Sequence, residues 1–181
     1  AMKRRDRRQT LVDATVLGET YAEVEREIKL LEGHTDWLHL DVTDGRFAGV
    51  ASWSNIEDLK FLDGKAKIEA HLMVEEPELV IKDWMEVADR IIVHTEATDN
   101  LEEIIDVFSL SRIKLGVALL LPTPVETLAP YLSKLNLVQL MSIGEIGAQG
   151  HGFDDRVLEK VKTLRALAPD VIIQLDGGIN R

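Results

Sequence analysis

A repeat of about 25 residues, a short apolar strand-like run followed by an amphipathic helical stretch, constrains this chain more than any other feature. Strand-like runs fall at 11–17, 36–42, 67–73, 90–94, 113–120, 136–141 and 171–176. Helices are expected over 20–33, 55–62, 77–88, 99–110, 124–132 and 154–167. In the first of these Val24, Ile28 and Leu31 recur at helical spacing, and Gly33 offers a stop. Pro77 and Pro124 stand where first-turn prolines are tolerated. Such alternation means an α/β fold with parallel strands, either an open doubly wound sheet or a closed (β/α)8 TIM barrel. Neither strong nucleotide fingerprint, GxGxxG after the first strand or GxxxxGK[ST], is present. Polar residues gather instead at strand ends: His39 and Asp41, His71, His94 and Glu96, Ser142, Asp176. Functional groups from several strand ends around one mouth are a barrel habit, so the barrel is the expected fold. Its organisation is read as a basic tail over 1–10 and one barrel domain over 11–181. Only seven strands are visible, and the chain stops five residues after Asp176. A closed barrel needs an eighth, so either the C-terminal end is missing from this chain, the favoured expectation, or the protein is an incomplete barrel that must shield an open edge.

Charge narrows the partners. The net charge is −11, and the basic start hides a stronger imbalance. Five basic residues against Asp6 leave residues 1–8 at +4, so the remainder carries −15. An acidic body of this kind argues against nucleic acid and anionic membranes, and any anionic substrate must be held by local groups. The basic start reads as a solvated tail. No apolar run approaches the roughly 18 residues of a membrane span. The absence of cysteine excludes thiolate chemistry and fits a reducing, cytoplasmic setting.

The second strand raises the chemical question. In WLHLDV, Leu38, Leu40 and Val42 share one face, while His39 and Asp41 share the other. Adding His71 from the third strand and Asp176 from the seventh gives two imidazoles and two carboxylates. That donor set suits a divalent cation such as Zn, Mn, Fe or Co. Each residue alone would read as a satisfied polar group at a strand end; four ends that meet in a barrel favour a metal site. His94 reads as structural and His34 as an exposed residue near a helix end, with His151 ranked lower as a candidate.

The motifs carry a family resemblance. HLDVTDGRF (39–47), HLMVEEPE (71–78), VHTEAT (93–98), LPTPVETL (121–128), LVQLMS (137–142) and LDGGIN (175–180) resemble, in order and spacing, the signatures of ribulose-phosphate 3-epimerases. The resemblance implies a metal-dependent isomerase of carbohydrate metabolism, in the pentose phosphate pathway, inverting C3 of a ketose phosphate through an enediolate. It implies one divalent metal on His39, Asp41, His71 and Asp176, with Asp41 and Asp176 as acid and base. A small-molecule sugar phosphate is the implied partner, and a homo-oligomer is expected. Substrate contacts are expected from Thr15, Met73, Met141, Ser142, Gly147, Gly150, Gly177 and Gly178.

Two departures stand out. Thr43 replaces a methionine that caps the enediolate in that family, and the loop after the sixth strand is one residue longer and carries Glu145, a poor neighbour for phosphate. The metal centre therefore reads as intact and the phosphate grip as altered. This leaves a non-catalytic or altered-specificity sugar-phosphate-binding paralogue as the alternative. A related barrel lyase would need Asp-x-Lys-x-x-Asp on the third strand, where this chain reads KIEAH.

Overall fold

The computed structural model describes residues 10–60, 66–148 and 150–179. The basic start up to residue 9 lies outside the described residues. All seven expected strands form: β1 (Ala14–Val16), β2 (Trp37–Thr43), β3 (Lys67–Met73), β4 (Arg90–His94), β5 (Lys114–Leu119), β6 (Leu137–Met141) and β7 (Ile172–Asp176). They are parallel and ordered β1 to β7 in sequence order. A doubly wound sheet reverses its order at a switch point, so this order excludes that alternative.

The sheet is curled into a barrel-like wall. Laid flat, β2 and β7 would stand five strand spacings apart, about 24 Å. Yet Nε2 of His39 on β2 lies 3.8 Å from Oδ2 of Asp176 on β7. Only curling brings those side chains together. Among the described residues β1 and β7 remain unpaired with each other.

Strand parity divides the residues between two environments. Outward residues such as Leu38, Leu40, Val42, Leu72, Val117 and Leu140 are buried under the helices in one large apolar core. Inward residues are largely polar on β2, β3 and β7, with a small apolar floor of Ile92, Ala118 and Leu137. Burying apolar surface contributes about 25 cal/mol per Å², so the sheet–helix layer holds the fold while the inner face is left for chemistry.

Helix α1 (Tyr21–Leu31) begins with a capping box. The Thr20 hydroxyl accepts the Glu23 N–H at 3.4 Å, and the Glu23 carboxylate accepts the Thr20 N–H at 3.1 Å. Gly33 follows its end at φ 78°, the left-handed conformation that glycine adopts without penalty. Helices α2 (Ile56–Leu59), α3 (Ile81–Trp84), α4 (Leu101–Ser109) and α5 (Val157–Leu167) complete the set. The expected end of α2 falls at 61–65, outside the described residues.

Two expected helices are shorter than their sequence pattern. Over 77–88 the chain makes a 3₁₀ turn at Pro77–Leu79 and then the single-turn α3, because Val80 leaves helical geometry at φ −120°. Over 124–132 only a 3₁₀ turn at Val125–Leu128 forms, followed by another at Leu132–Lys134. Pro130 stands between them, lacks an N–H and clashes with the preceding turn of a helix.

Candidate active site and metal centre

Register builds the site. Asp41 and His71 are direct partners across β2 and β3, and His39 and Glu69 are partners one inward position below. The inner wall therefore carries a two-by-two grid of ionisable side chains. From β7, Asp176 closes the grid across the mouth.

The upper donors converge. His71 Nδ1 lies 2.8 Å from Asp41 Oδ1, 3.3 Å from His39 Nε2 and 3.4 Å from Asp176 Oδ2. His39 Nε2 lies 3.2 Å from Asp41 Oδ1. Four donor atoms, one from each of His39, Asp41, His71 and Asp176, all fall within 4.8 Å of one another. Divalent-metal bonds of about 2.0–2.2 Å put neighbouring donor atoms about 3–3.6 Å apart, so this spacing fits one ion. Lone pairs of four acceptors facing a common point also need a cation or protons between them. The four residues could hold a metal.

Electrostatics follow from the same contacts. Burial pulls the His39 pKa down, but hydrogen bonds to Asp41 and Glu69 outweigh it and raise the imidazole well above its ordinary value. Burial raises Asp41, yet the two imidazoles beside it hold that carboxyl well below the usual range. Asp176 goes the other way: burial dominates and raises it. With no cation between them, Asp41 is thus held ionised while burial favours a proton on Asp176.

Beneath the donors lies a layer that the motif reading missed. Glu69 is fully buried. Its Oε1 lies 2.5 Å from His39 Nδ1 and accepts the Gln174 amide at 2.6 Å; its other oxygen accepts from Arg90 Nε. The Arg90 guanidinium lies over the Trp37 ring, 4.2 Å from its centroid, and reaches Asp13 at 3.6 Å. Glu69 fixes the His39 ring with Nε2 toward the donor cluster, the outer-shell arrangement that metal-binding histidines favour. On β6, the buried Gln139 donates to Asp176 Oδ2 at 3.1 Å. The signal was available: Glu69, Gln139 and Gln174 share inward parity with His71, Met141 and Asp176.

Above the cluster opens a cavity of about 490 Å³. Asp41 and Asp176 line it with Thr15, Met73 and Met141. Gly147, Gly150, Gly177 and Gly178 also line it. Asp13 and His151 also line it, and neither ranked among the expected contacts. Ser142 does not line the cavity. It is fully buried, and its hydroxyl donates to the carbonyls of Asp176 and Gly177 at 2.8 and 2.6 Å, clamping the end of β7. Thr43 is likewise engaged elsewhere, its hydroxyl donating to the Val50 carbonyl at 2.5 Å. Glu145 is exposed and does not line the cavity. Its neighbours Ile143 and Ile146 anchor the loop in a small apolar cluster with Ala48, Met73 and Met141. His94, expected to be structural, is buried with Nε2 only 2.9 Å from Nε2 of His71; burial pushes its pKa down to about 4.

A curled parallel β/α sheet with paired carboxylates and histidines at the C-terminal mouth of its strands defines a barrel enzyme whose ionisable groups suit proton transfer. Residues 11–181 match the family model described as the ribulose-phosphate 3 epimerase family, and the chain belongs to that family of carbohydrate epimerases, in the isomerase class. It is 34% identical over 178 residues to "Ribulose-phosphate 3-epimerase" of Schizosaccharomyces pombe, covering 95% of this chain and 78% of that protein. The protein of the same name from Bacillus subtilis is 32% identical over 185 residues, covering 94% of this chain and 82% of its own length. Among solved structures, Mycobacterium tuberculosis tryptophan synthase superposes with TM-score 0.62 at 15% identity, covering 93% of this chain and 76% of that one. At that identity it bears on the fold alone, a barrel-type β/α architecture. Among the described residues no helix is long and apolar enough to cross a membrane.

Proposed function

We propose that this protein is a metal-dependent epimerase that inverts C3 of D-ribulose 5-phosphate to give D-xylulose 5-phosphate. The observation that carries the reading is the pair Asp41 and Asp176, which line one cavity from different strands above the two histidines. Inversion at a carbon α to a ketone needs a proton removed from one face and returned to the other. Asp41 and Asp176 are the paired base and acid: one takes the proton and the other returns one on the opposite face. In the reverse direction the roles exchange. His39 and His71 serve as neutral ligands, held in orientation by the residues packed beneath them. A divalent cation (Zn, Mn, Fe or Co) on His39, Asp41, His71 and Asp176 would stabilise negative charge on the adjacent oxygens of the enediolate. Met73 and Met141 keep the wall beside that charge apolar and dry. Thr15, Gly147, Gly150, Gly177 and Gly178 contact the sugar phosphate, while Ser142 acts through the backbone of β7.

The same reading makes the protein a cytoplasmic homo-oligomer of the pentose phosphate pathway with no nucleic-acid partner, in keeping with a net charge of −11. The deciding experiment is solvent-deuterium exchange into C3 of D-ribulose 5-phosphate by protein loaded with Mn²⁺. Exchange accompanied by D-xylulose 5-phosphate supports the reading, and loaded, folded protein that exchanges nothing overturns it.

One observation favours a second reading, altered specificity or non-catalytic sugar-phosphate binding. Among the described residues lining the cavity, three are carboxylates and only His151 can carry positive charge. A panel of ketoses with and without phosphate separates the two. Turnover with a strong preference for the phosphorylated pentose supports the first reading; preferred turnover of another ketose, or binding of ketose phosphates without turnover, supports the second.

A further inference from the structure

We propose that Glu96 and His94 are positioning residues that fix the hydrogen-bonding state of His71 and so leave its Nδ1 lone pair directed at the metal centre. The proposal rests on the metal-site reading above. His71 has two ring nitrogens with different neighbourhoods. Nδ1 faces the donor cluster, while Nε2 faces away and meets His94 Nε2 at 2.9 Å. Two imidazole nitrogens at that distance share one proton, so one must donate and the other accept.

Glu96 decides which. Its Oε1 accepts the Leu120 N–H at 2.8 Å, which anchors the carboxylate to the β5 end. Its Oε2 lies 3.4 Å from His94 Nδ1, both atoms are buried, and each faces the other; Thr123 also stands beside the carboxylate. A carboxylate oxygen only accepts, so the proton of neutral His94 belongs on Nδ1. His94 Nε2 then carries a lone pair and accepts from His71 Nε2–H. That leaves His71 Nδ1 without a proton of its own, the state a metal ligand requires. The Gln139 amide nitrogen also lies 3.2 Å from His71 Nε2, but its two N–H groups have acceptors in Asp176 Oδ2 at 3.1 Å and Met141 Sδ at 3.5 Å, which leaves His71 Nε2–H to His94. Packing holds the relay: the His71 and His94 rings meet edge to edge with centroids 5.1 Å apart, and the Phe47 ring centroid lies 5.1 Å from that of His94. His39 reaches the same end by a direct carboxylate, Glu69; His71 reaches it through one intervening imidazole.

The test has two readouts, neither of them activity. The first is the ¹⁵N shifts of the His94 ring in the unmutated, metal-free protein, which report the tautomer directly. Nδ1–H is expected, and Nε2–H overturns the proposal. The second is Mn²⁺ affinity by calorimetry. Glu96→Gln, which brings a donor to face His94, and His94→Phe, which keeps an aromatic ring there but removes the acceptor, should each weaken binding about 10- to 100-fold. Unchanged affinity in both folded variants overturns the relay. Should either variant fail to fold, the His94 tautomer still decides. Unmutated protein that takes up no Mn²⁺ overturns the metal-site reading instead, a result separate from a loss confined to the variants.

Discussion

The backbones of Gly49 and Gly147 lie directly against each other, so that a Cβ on Gly147 would stand 2.8 Å from Gly49 N. Gly49 belongs to the loop after β2 and Gly147 to the loop after β6. Both have positive φ, 58° and 84°. The contact joins two loops across the mouth beside Asp41, and only residues without a side chain permit it. Gly147→Ala should therefore separate the loops at a cost of about 1–2 kcal/mol of left-handed strain, with the clash in addition. If all of that opposes the closed loop, KM for D-ribulose 5-phosphate rises roughly 5- to 30-fold. Gly144→Ala is the control, since a Cβ there meets nothing within 4 Å. Steady-state kinetics on both variants check this; equal KM values would mean that the loops do not roof the substrate.

The interior pair Glu69 and Arg90 should reveal its cost when broken. Glu69→Leu leaves the largely buried Arg90 with only the longer contact to Asp13 at 3.6 Å and strips His39 and Gln174 of a partner, and removing one member of a buried pair costs about 3–5 kcal/mol. Adding Arg90→Met should restore part of the loss, because a hydrophobic pair of similar volume avoids the stranded charge. Urea unfolding of the two single variants and the double variant measures the coupling. Strict additivity would show that the pair is not energetically linked.

The ionisable layer shows where sequence reasoning ran ahead and where it fell behind. The strands were legible because their outward faces must be apolar and their inward faces differ, so period-two parity marked β2, β3 and β7. His39, Asp41, His71 and Asp176 stood out as polar residues inside apolar runs. Glu69, Gln139 and Gln174 obey the same parity but carry no motif, and only register pairs Glu69 with His39. The helices were less legible. A 3.6-residue pattern persists through 124–132, but Pro130 removes a backbone donor that the pattern does not register. Glu145 looked hostile to phosphate in the sequence, yet buried Ile143 and Ile146 orient its loop and leave Glu145 in solvent.

Asp44 ties the loop after β2 to the loop after β3. One carboxylate oxygen accepts the N–H groups of Arg46 and Phe47, each at 2.9 Å, and the other accepts that of Glu75 at 2.8 Å. Burial alone would raise its pKa, but these backbone donors outweigh burial and lower it. A carboxyl whose folded pKa lies below its unfolded value stabilises the fold above the unfolded value, and that contribution disappears as pH falls through the folded one. Asp44→Asn should thus be less stable than the unmutated protein at pH 7, with the gap narrowing below about pH 4. Urea midpoints at pH 7 and pH 3 check the sign. A gap that widens on acidification would contradict it.

The last expectation concerns the two carboxylates that line the cavity. Asp41 is on β2 and Asp176 on β7, both line the cavity, and the proposed reaction has them approach the substrate carbon from opposite faces. On that proposal a planar intermediate loses a proton to one and regains it from the other, so neither residue should replace its partner. Asparagine at either position keeps the size and an oxygen donor but removes the ionisable proton. Asp41→Asn and Asp176→Asn should each lower epimerisation by roughly 10²- to 10⁴-fold, the usual consequence of losing a general acid or base. The two losses should differ in kind. The surviving carboxylate still faces one hydrogen, so each variant should wash deuterium into one epimer much faster than it forms the other, and the favoured epimer should switch between the variants. Mass spectrometry of both sugars after incubation in deuterated water reads this out, with Mn²⁺ content measured alongside to separate lost ligation from lost proton transfer. Equal exchange into both epimers by both variants would rule out the two-face assignment, because a single group would then be serving both faces.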